Sequence, residues 1–436
     1  LAGPIGRGPE GPPLLHRLKG QRIFERVLVT LSWKWARSVF RVAGTERLQP
    51  QLRLLVAVAL FLAVAAIGAR FPWAPPARVT DFSPAFALMW LIGGACAVGA
   101  AWQAKYHRFA ALAMLGGAGL VTCLTFAWLS APDLAVTQLL VEVVTTVLLL
   151  LGLRWLPKRR SEIPEDKLLP AKIRRGRDLV IAVVGGVGIA AIAFAVMTRP
   201  VISNVGDWFL GNAYYEGGGT NVVNVILVDF RAFDTFGEIA VLAIVGLTVY
   251  SLLRRFRPAP ESVDQPNQQQ ATSQQALDDY LMVPSVIMLW MFPVLIMVAA
   301  YFFFRGHDLP GGGFAAGVTM AIAFLLQYLA TNVRWVEARL TILPIRWMGI
   351  GLLIAVGTGM GSWIFGYPFL SAHARYISIP LIGNVPAATA LLFDLGVFAL
   401  VVGATVLMLI AIAHQSLRAA RLREQDDAAP ATKEIR

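Results

Sequence analysis

DLAVTQLLVEVVTTVLLLLGL, residues 133–153, is long enough to cross a bilayer as one helix, because about 20 apolar residues match a hydrocarbon core roughly 30 Å thick. One ionisable side chain, Glu142, stands close to its midpoint. A carboxylate at that depth is costly against lipid, so it has to face protein, water or an ion path. Gln138, Glu142 and Thr145 or Thr146 recur at helical spacing. They form a polar stripe suited to passing a proton or ligating a dehydrated cation. The plainer alternative is a protonated acid hydrogen-bonded to a neighbouring helix. Asp133, in SAPDL, fits an N-cap of this helix at the outer interface.

Working outward, about ten stretches have this character: 54–69, 84–101, 109–128, 134–153, 179–197, 234–253, 282–304, 313–330, 347–366 and 387–413. The first is short for a span. With 57% apolar and 15% charged residues among 436, the chain reads as an all-α integral membrane protein. Its net charge of +12 does not mark a nucleic-acid surface, since Lys and Arg are spread between apolar runs. Of the 38 basic residues, 32 fall on one set of alternating connections and five on the other, with Arg231 left inside a span. That bias places both termini in the cytoplasm. The first long apolar run begins only after Arg53, so no signal peptide is expected. Cys96 and Cys123 lie within apolar runs without metal-ligand spacing and read as packed thiols.

Residues 1–50 include a segment, 22–45, in which Phe24, Leu28, Leu31 and Trp35 mix with Arg26, Lys34, Arg37 and Arg41. That pattern suits an amphipathic helix on the cytoplasmic surface or against neighbouring subunits. Residues 258–279, PAPESVDQPNQQQATSQQALDD, form a polar linker between six spans and four, as at a fusion of two polypeptides. An ordinary long loop is the alternative. The expected divisions are 51–157, 158–257, the linker, a four-helix part at 280–420 and a disordered tail from 421.

Charge also collects in VDFRAFDTFGE, 228–238. On a continuous helix, Asp234 and Glu238 fall about 60° and 20° to one side of Arg231, and Asp229 points away. This face should line protein, water or an ion path, with Arg231 holding one acid ionised while the other titrates. A structural ion pair near the interface is the alternative. Asp394, in AATALLFDLGVF, lies about seven residues, roughly 10 Å, into the last span. In FRGHDLPGGGF, His307 and Asp308 end one span, Pro310 forces a turn and Gly311 to Gly313 open the next. This is either an ion vestibule or a tight outer turn. Lys105, beside His107 and Arg108, either anchors a helix to headgroups or helps a proton exit. GGVG at 185–188 and GTGMG at 357–361 lie inside apolar helices and read as small-residue packing.

LSAPDLAVTQLLVEVVTTVLLLLGLRWLP and GGGTNVVNVILVDFRAFDTFGEIAVLAIVGLTVYSLL resemble the end of the A subunit of Mrp-type multisubunit Na⁺(K⁺)/H⁺ antiporters. RGHDLPGGGF, IAVGTGMGSWIFGYPFL and ATALLFDLGVF resemble the B subunit. The resemblance covers about residues 50 to 436 in order. It implies a subunit of a hetero-oligomeric complex in the bacterial inner membrane, exchanging protons for Na⁺ or K⁺, with no bound cofactor, no enzymatic activity and no resident metal. Transient Na⁺ is expected near Glu142, Asp234 and Glu238. Residue matching carries over Glu142, Asp229, Arg231, Asp234 and Glu238, then Pro310, Phe314 and Asp394. Relatives of the first two stretches also occur in membrane-bound hydrogenases, so a scaffold role in a redox-driven pump is the competing expectation. Two departures stand out. The large antiporter-like domain that normally begins the A subunit is not in this sequence, and Asp308 occupies a position where Asn is expected.

Overall fold

The computed structural model describes residues 24, 27–43, 48–68, 81–104, 107–153, 168–198, 205–255, 282–330, 343–379 and 383–428. Lys105 and the linker at 258–279 lie outside these residues. Among the described residues, nine helices are long and apolar enough to cross a membrane, and Gln49–Ala65 is a shorter apolar helix where the first span was expected.

The chain divides into two compact units. The first comprises Leu1–Asp81 and Arg160–Val201. In it, a π-helical turn at Thr30–Trp35 leads into α1 (Ala36–Ala43), where the Arg37 guanidinium lies 5.2 Å over the Trp33 ring. Phe24, Leu28, Leu31, Trp33 and Trp35 are all exposed, so no described residue of this unit covers them. α2 (Leu48–Gly68) packs on α6 (Leu168–Met197). Arg53 Nε donates to Asp178 Oδ1 at 2.8 Å, and Gln49 Nε2 donates to Asp178 Oδ2 at 3.0 Å. The expected packing through GGVG finds little support here: Gly185 faces Leu60, but a Cβ on Gly186 or Gly188 would meet nothing within 4 Å.

The second unit holds Phe82–Arg159 and Ile202–Arg436. Its helices are α3 (Pro84–Gln103), α4 (Arg108–Trp128), α5 (Pro132–Leu153), α7 (Val205–Asn212), α8 (Val222–Val225), α9 (Ala232–Arg255), α10 (Met282–Arg305), α11 (Gly312–Ala330), α12 (Pro344–Ile364) and α13 (Thr389–Ala428). α3, α4 and α5 pack in chain order, and α5 then meets α11 and α13. α13 is the centre, touching α12, α11, α9 and α5. Phe393, Val397, Leu400 and Val401 of α13 are almost wholly buried against Ile239, Val318, Leu325 and Ala355. Small residues permit this closeness: a Cβ on Gly351 would lie 2.6 Å from the Gly396 carbonyl, and one on Gly396 would lie 2.7 Å from that of Gly351.

Two features depart from the sequence reading. An antiparallel hairpin, β1 (Ala374–Ile379) and β2 (Gly383–Ala388), fills the connection before α13, with Ala374 opposite Ala388 and Ile379 opposite Gly383. The last helix runs on to Ala428, past the point where a disordered tail was expected. Neither has a hydrophobic signature: the hairpin lies in the connection between α12 and α13, and residues after 413 are helical but polar.

Candidate functional site

The charged stretch before α9 is not one continuous helix. Ile226–Phe230 is a π-helical segment, and Arg231 has left the helical region at φ −130° and ψ 38°. Its N–H donates to the Ile226 carbonyl at 2.7 Å, five residues back. Thr235 Oγ1 bridges the break by donating to the Leu227 carbonyl at 2.8 Å. Helical-wheel angles therefore do not hold across Arg231, because the wheel assumes about 100° at every step. The ion pair survives nonetheless, with Arg231 Nη2 lying 2.5 Å from Asp234 Oδ2. Glu238, one turn further on, is exposed. Asp229 lies against Gly217, whose missing Cβ would stand 3.5 Å from Asp229 Oδ2. Just ahead of the span, burial pushes the Asp229 carboxyl up to about 6, and the negative charge of Glu216 adds to this.

At the end of the bundle where α5 begins, one knot of hydrogen bonds joins α5, the segment before α8 and the turn between α10 and α11. Asp133 is its hub. It sits inside the first turn of α5 rather than capping it, which corrects the N-cap expectation. Asp133 Oδ1 accepts from Asn221 Nδ2 at 3.1 Å and from the Gly311 N–H at 3.2 Å. Asn221 caps α8 through its Oδ1 and also donates to the carbonyls of Gly306 and Leu309, each at 3.1 Å. Its own N–H donates to the His307 carbonyl at 2.9 Å. Asp308, which is exposed, accepts from the Thr220 N–H at 3.2 Å. Arg305 Nε donates to the Pro310 carbonyl at 2.6 Å, holding the proline turn. The buried His307 ring has its pKa lowered by loss of solvent, and Asp308 opposes this. Its Nε2 and the Oδ1 of Asn224 are buried without a hydrogen-bond partner.

Beneath this knot, Asp394 is 3% exposed, and its Oδ2 accepts the Gly313 N–H at 2.6 Å. The N-terminus of α11 thus offers a backbone amide to a buried carboxylate, the arrangement that best tolerates negative charge. Only glycine fits there. A Cβ on Gly313 would come 2.2 Å from the Asp394 carbonyl, and Gly312 adopts φ +90° with Asn224 Nδ2 in the space a side chain would take. Phe314 turns to a different place, an apolar cavity of about 810 Å³ bounded also by Val141, Thr145, Leu242, Val318 and Val401.

Glu142 faces α4. Its Oε2 would lie 2.2 Å from a Cβ on Gly119, so that glycine makes room for the carboxylate. Gln138 Nε2 donates to Oε2 at 3.5 Å, and Thr146 shares the same cavity of about 340 Å³. Thr145 does not, because it lines the larger cavity. The stripe is therefore Gln138, Glu142 and Thr146. The structure brings together Asp133, Asp308 and Pro310, with Asp394 held below at Gly313, and it pairs Arg231 with Asp234. Glu142 stands on another face. Asn221, Thr220, Asn224 and Thr235 were not singled out from sequence, although two asparagines and two threonines bordering an apolar run are a legible signal.

Three family models match in chain order. They are MbhD, the D subunit of MBH, over residues 92–158, MbhE, the E subunit of MBH, over 173–270, and a domain related to the MnhB subunit of Na⁺/H⁺ antiporter over 283–407. The Na⁺/H⁺ antiporter B subunit of Bacillus subtilis (strain 168) is 38% identical over 122 residues, which cover 85% of its length and 28% of this chain. The chain belongs to the multisubunit cation/proton antiporter family. Another relative in that family, a probable K⁺/H⁺ antiporter A/B subunit of Rhizobium meliloti (strain 1021), is 61% identical over 427 residues, or 94% of this chain. The chain spans 42% of that relative's length. Within a solved Mrp complex from Dietzia sp. DQ12-45-1b, one chain aligns with a TM-score of 0.70 and 29% identity, covering 91% of this chain and 43% of that one. The end of an A subunit joined to a B subunit is thus the family arrangement that this chain matches.

Proposed function

We propose that the chain is a subunit of a monovalent cation/proton antiporter in a bacterial cytoplasmic membrane, with its termini on the cytoplasmic side, and that its membrane carboxylates form part of the cation or proton route. The observation that carries this reading is Asp394, a carboxylate almost wholly buried in a helix long enough to span the membrane and held by a single backbone amide. An acid so placed is rarely retained for packing alone. Glu142, Asp234 and Glu238 supply further acids along the membrane helices, and Asp229 stands just ahead of one of them. Coupling follows if one acid cannot hold a proton and a cation together, so that occupancy alternates. Family membership supports the reading, as does the 32-to-5 division of basic residues for the orientation. The test is Na⁺- and K⁺-driven proton movement in everted vesicles carrying the whole complex. Asp394→Asn should lower exchange at least tenfold while the complex still migrates intact on a native gel. Normal exchange by an assembled Asp394→Asn complex would remove Asp394 from the route.

A further inference from the structure

We infer that the face of α9 bearing Asp234 and Glu238, with Arg231 at its head, docks a membrane-spanning helix of a separate subunit that presents a Lys, Arg or His side chain opposite Glu238. The inference rests on the reading that this chain works inside a multisubunit assembly.

α9 has two unlike sides. Ile239, Leu242, Ala243 and Gly246 are packed into the bundle, and a Cβ on Gly246 would already touch Met348 and Ala404. The other side is bare. The side chains of Arg231 and Asp234 are 60% and 41% exposed, and Glu238, Val241 and Val245 are exposed below them. A Cβ on Gly237 would meet nothing within 4 Å, leaving room for a second helix to approach closely. Asp234, Glu238, Val241 and Val245 belong to a helix long and apolar enough to span the membrane, Ala232–Leu253, and Arg231 stands just ahead of it. Charged groups turned outward there are costly against hydrocarbon, so the face requires a protein cover.

Charge balance identifies the cover. Arg231 is matched by Asp234, which leaves Glu238, in its ionised form, as one negative charge without an ion-pair partner among the described residues. No other span of the chain can neutralise it at that depth. Residues 54–68 and 179–197 contain no charged side chain, and in the other spans Lys and Arg stand only at the ends. A second copy of the chain would bring the same deficit. The partner is therefore a different polypeptide, apolar below to match Val241 and Val245 and cationic one helical turn or so inside its outer end.

Photocrosslinking in the whole complex, in native membranes, tests this directly. A benzophenone amino acid placed at Val241 should give an adduct between this chain and a different subunit, identified by mass spectrometry. Adducts with lipid alone, with this chain or with a second copy would overturn the inference. In a second arm, Glu238→Lys should abolish the complex band on a native gel while the chain remains in the membrane, and Glu238→Gln should keep it. Full assembly by Glu238→Lys would refute the cationic partner, and the crosslink, made with Glu238 intact, decides the matter if the Lys variant fails to accumulate. Neither arm reads transport, so a failed role for Glu238 in exchange would leave this result standing.

Discussion

Asp133 shows how much can depend on one oxygen atom. Its Oδ1 serves both Asn221 Nδ2 and the Gly311 N–H, and both donors belong to the hydrogen-bonded knot. Asp133→Ala takes the acceptor from the half-buried Gly311 N–H, at a cost of about 1–3 kcal/mol, while Asn221 Nδ2 keeps the Gly306 and Leu309 carbonyls. The detergent-solubilised protein should unfold at a lower temperature, and Asp133→Asn, which keeps an accepting oxygen, should recover most of the loss. Gly313 is equally constrained. Gly313→Ala drives a methyl group into the Asp394 backbone, and overpacking of this kind costs about 1–3 kcal/mol, readable in the same unfolding measurement. His307 adds a pH dependence. Because its folded pKa lies below the ordinary value of 6.5, the unfolded chain takes up the proton first, and stability falls as pH drops through that value. Replacing His307 with Asn should flatten the acid side of the unfolding-temperature profile between about pH 7 and pH 5.

At the scale of elements, the break before α9 is the decisive irregularity. π segments are short, strained insertions often found at functional sites, and here one turns Asp229 toward Gly217 while Arg231 pairs with Asp234. Asp229→Asn should shift the pH profile of exchange where Asp229 titrates, near pH 6, measured in everted vesicles. An unchanged profile would take Asp229 off the route. The span itself was legible, because about 20 apolar residues have few alternatives to a membrane helix. The break was not: intrinsic propensities and periodicity describe regular helices, and an i to i−5 bond leaves both almost unaltered.

For the whole molecule, the prominent fact is that the region matched to the antiporter A subunit and the region matched to the B subunit meet through side chains and not only through the chain between them. Asp133 to Gly311, Thr220 to Asp308 and Asn221 to Gly306 all cross from residues before 256 to residues after 281. α5 against α11 and α9 against α13 add apolar contact. Cutting the chain at the linker and co-expressing the two parts should therefore yield a complex that co-purifies, and adding Asp133→Ala should weaken recovery. Loss of association after the cut alone would show that the linker, not the knot, holds the parts together.

From residue order alone came the membrane helices, the side on which basic residues gather, the family resemblance and the identity of the acids. All of these depend on local composition, on bilayer thickness or on short motifs, which a linear chain displays directly. Tertiary structure decided which of those acids share a place. It joined Asp133 to Asn221 and Gly311, set Asp394 on the Gly313 amide, turned Glu142 toward Gly119 and left Glu238 bare. Such relations join residues up to 178 positions apart, as Asp133 and Gly311 are, and no periodicity reaches that far. They exist only when helix crossings, small-residue contacts and one interrupted turn bring side chains within the roughly 3 Å at which a hydrogen bond forms.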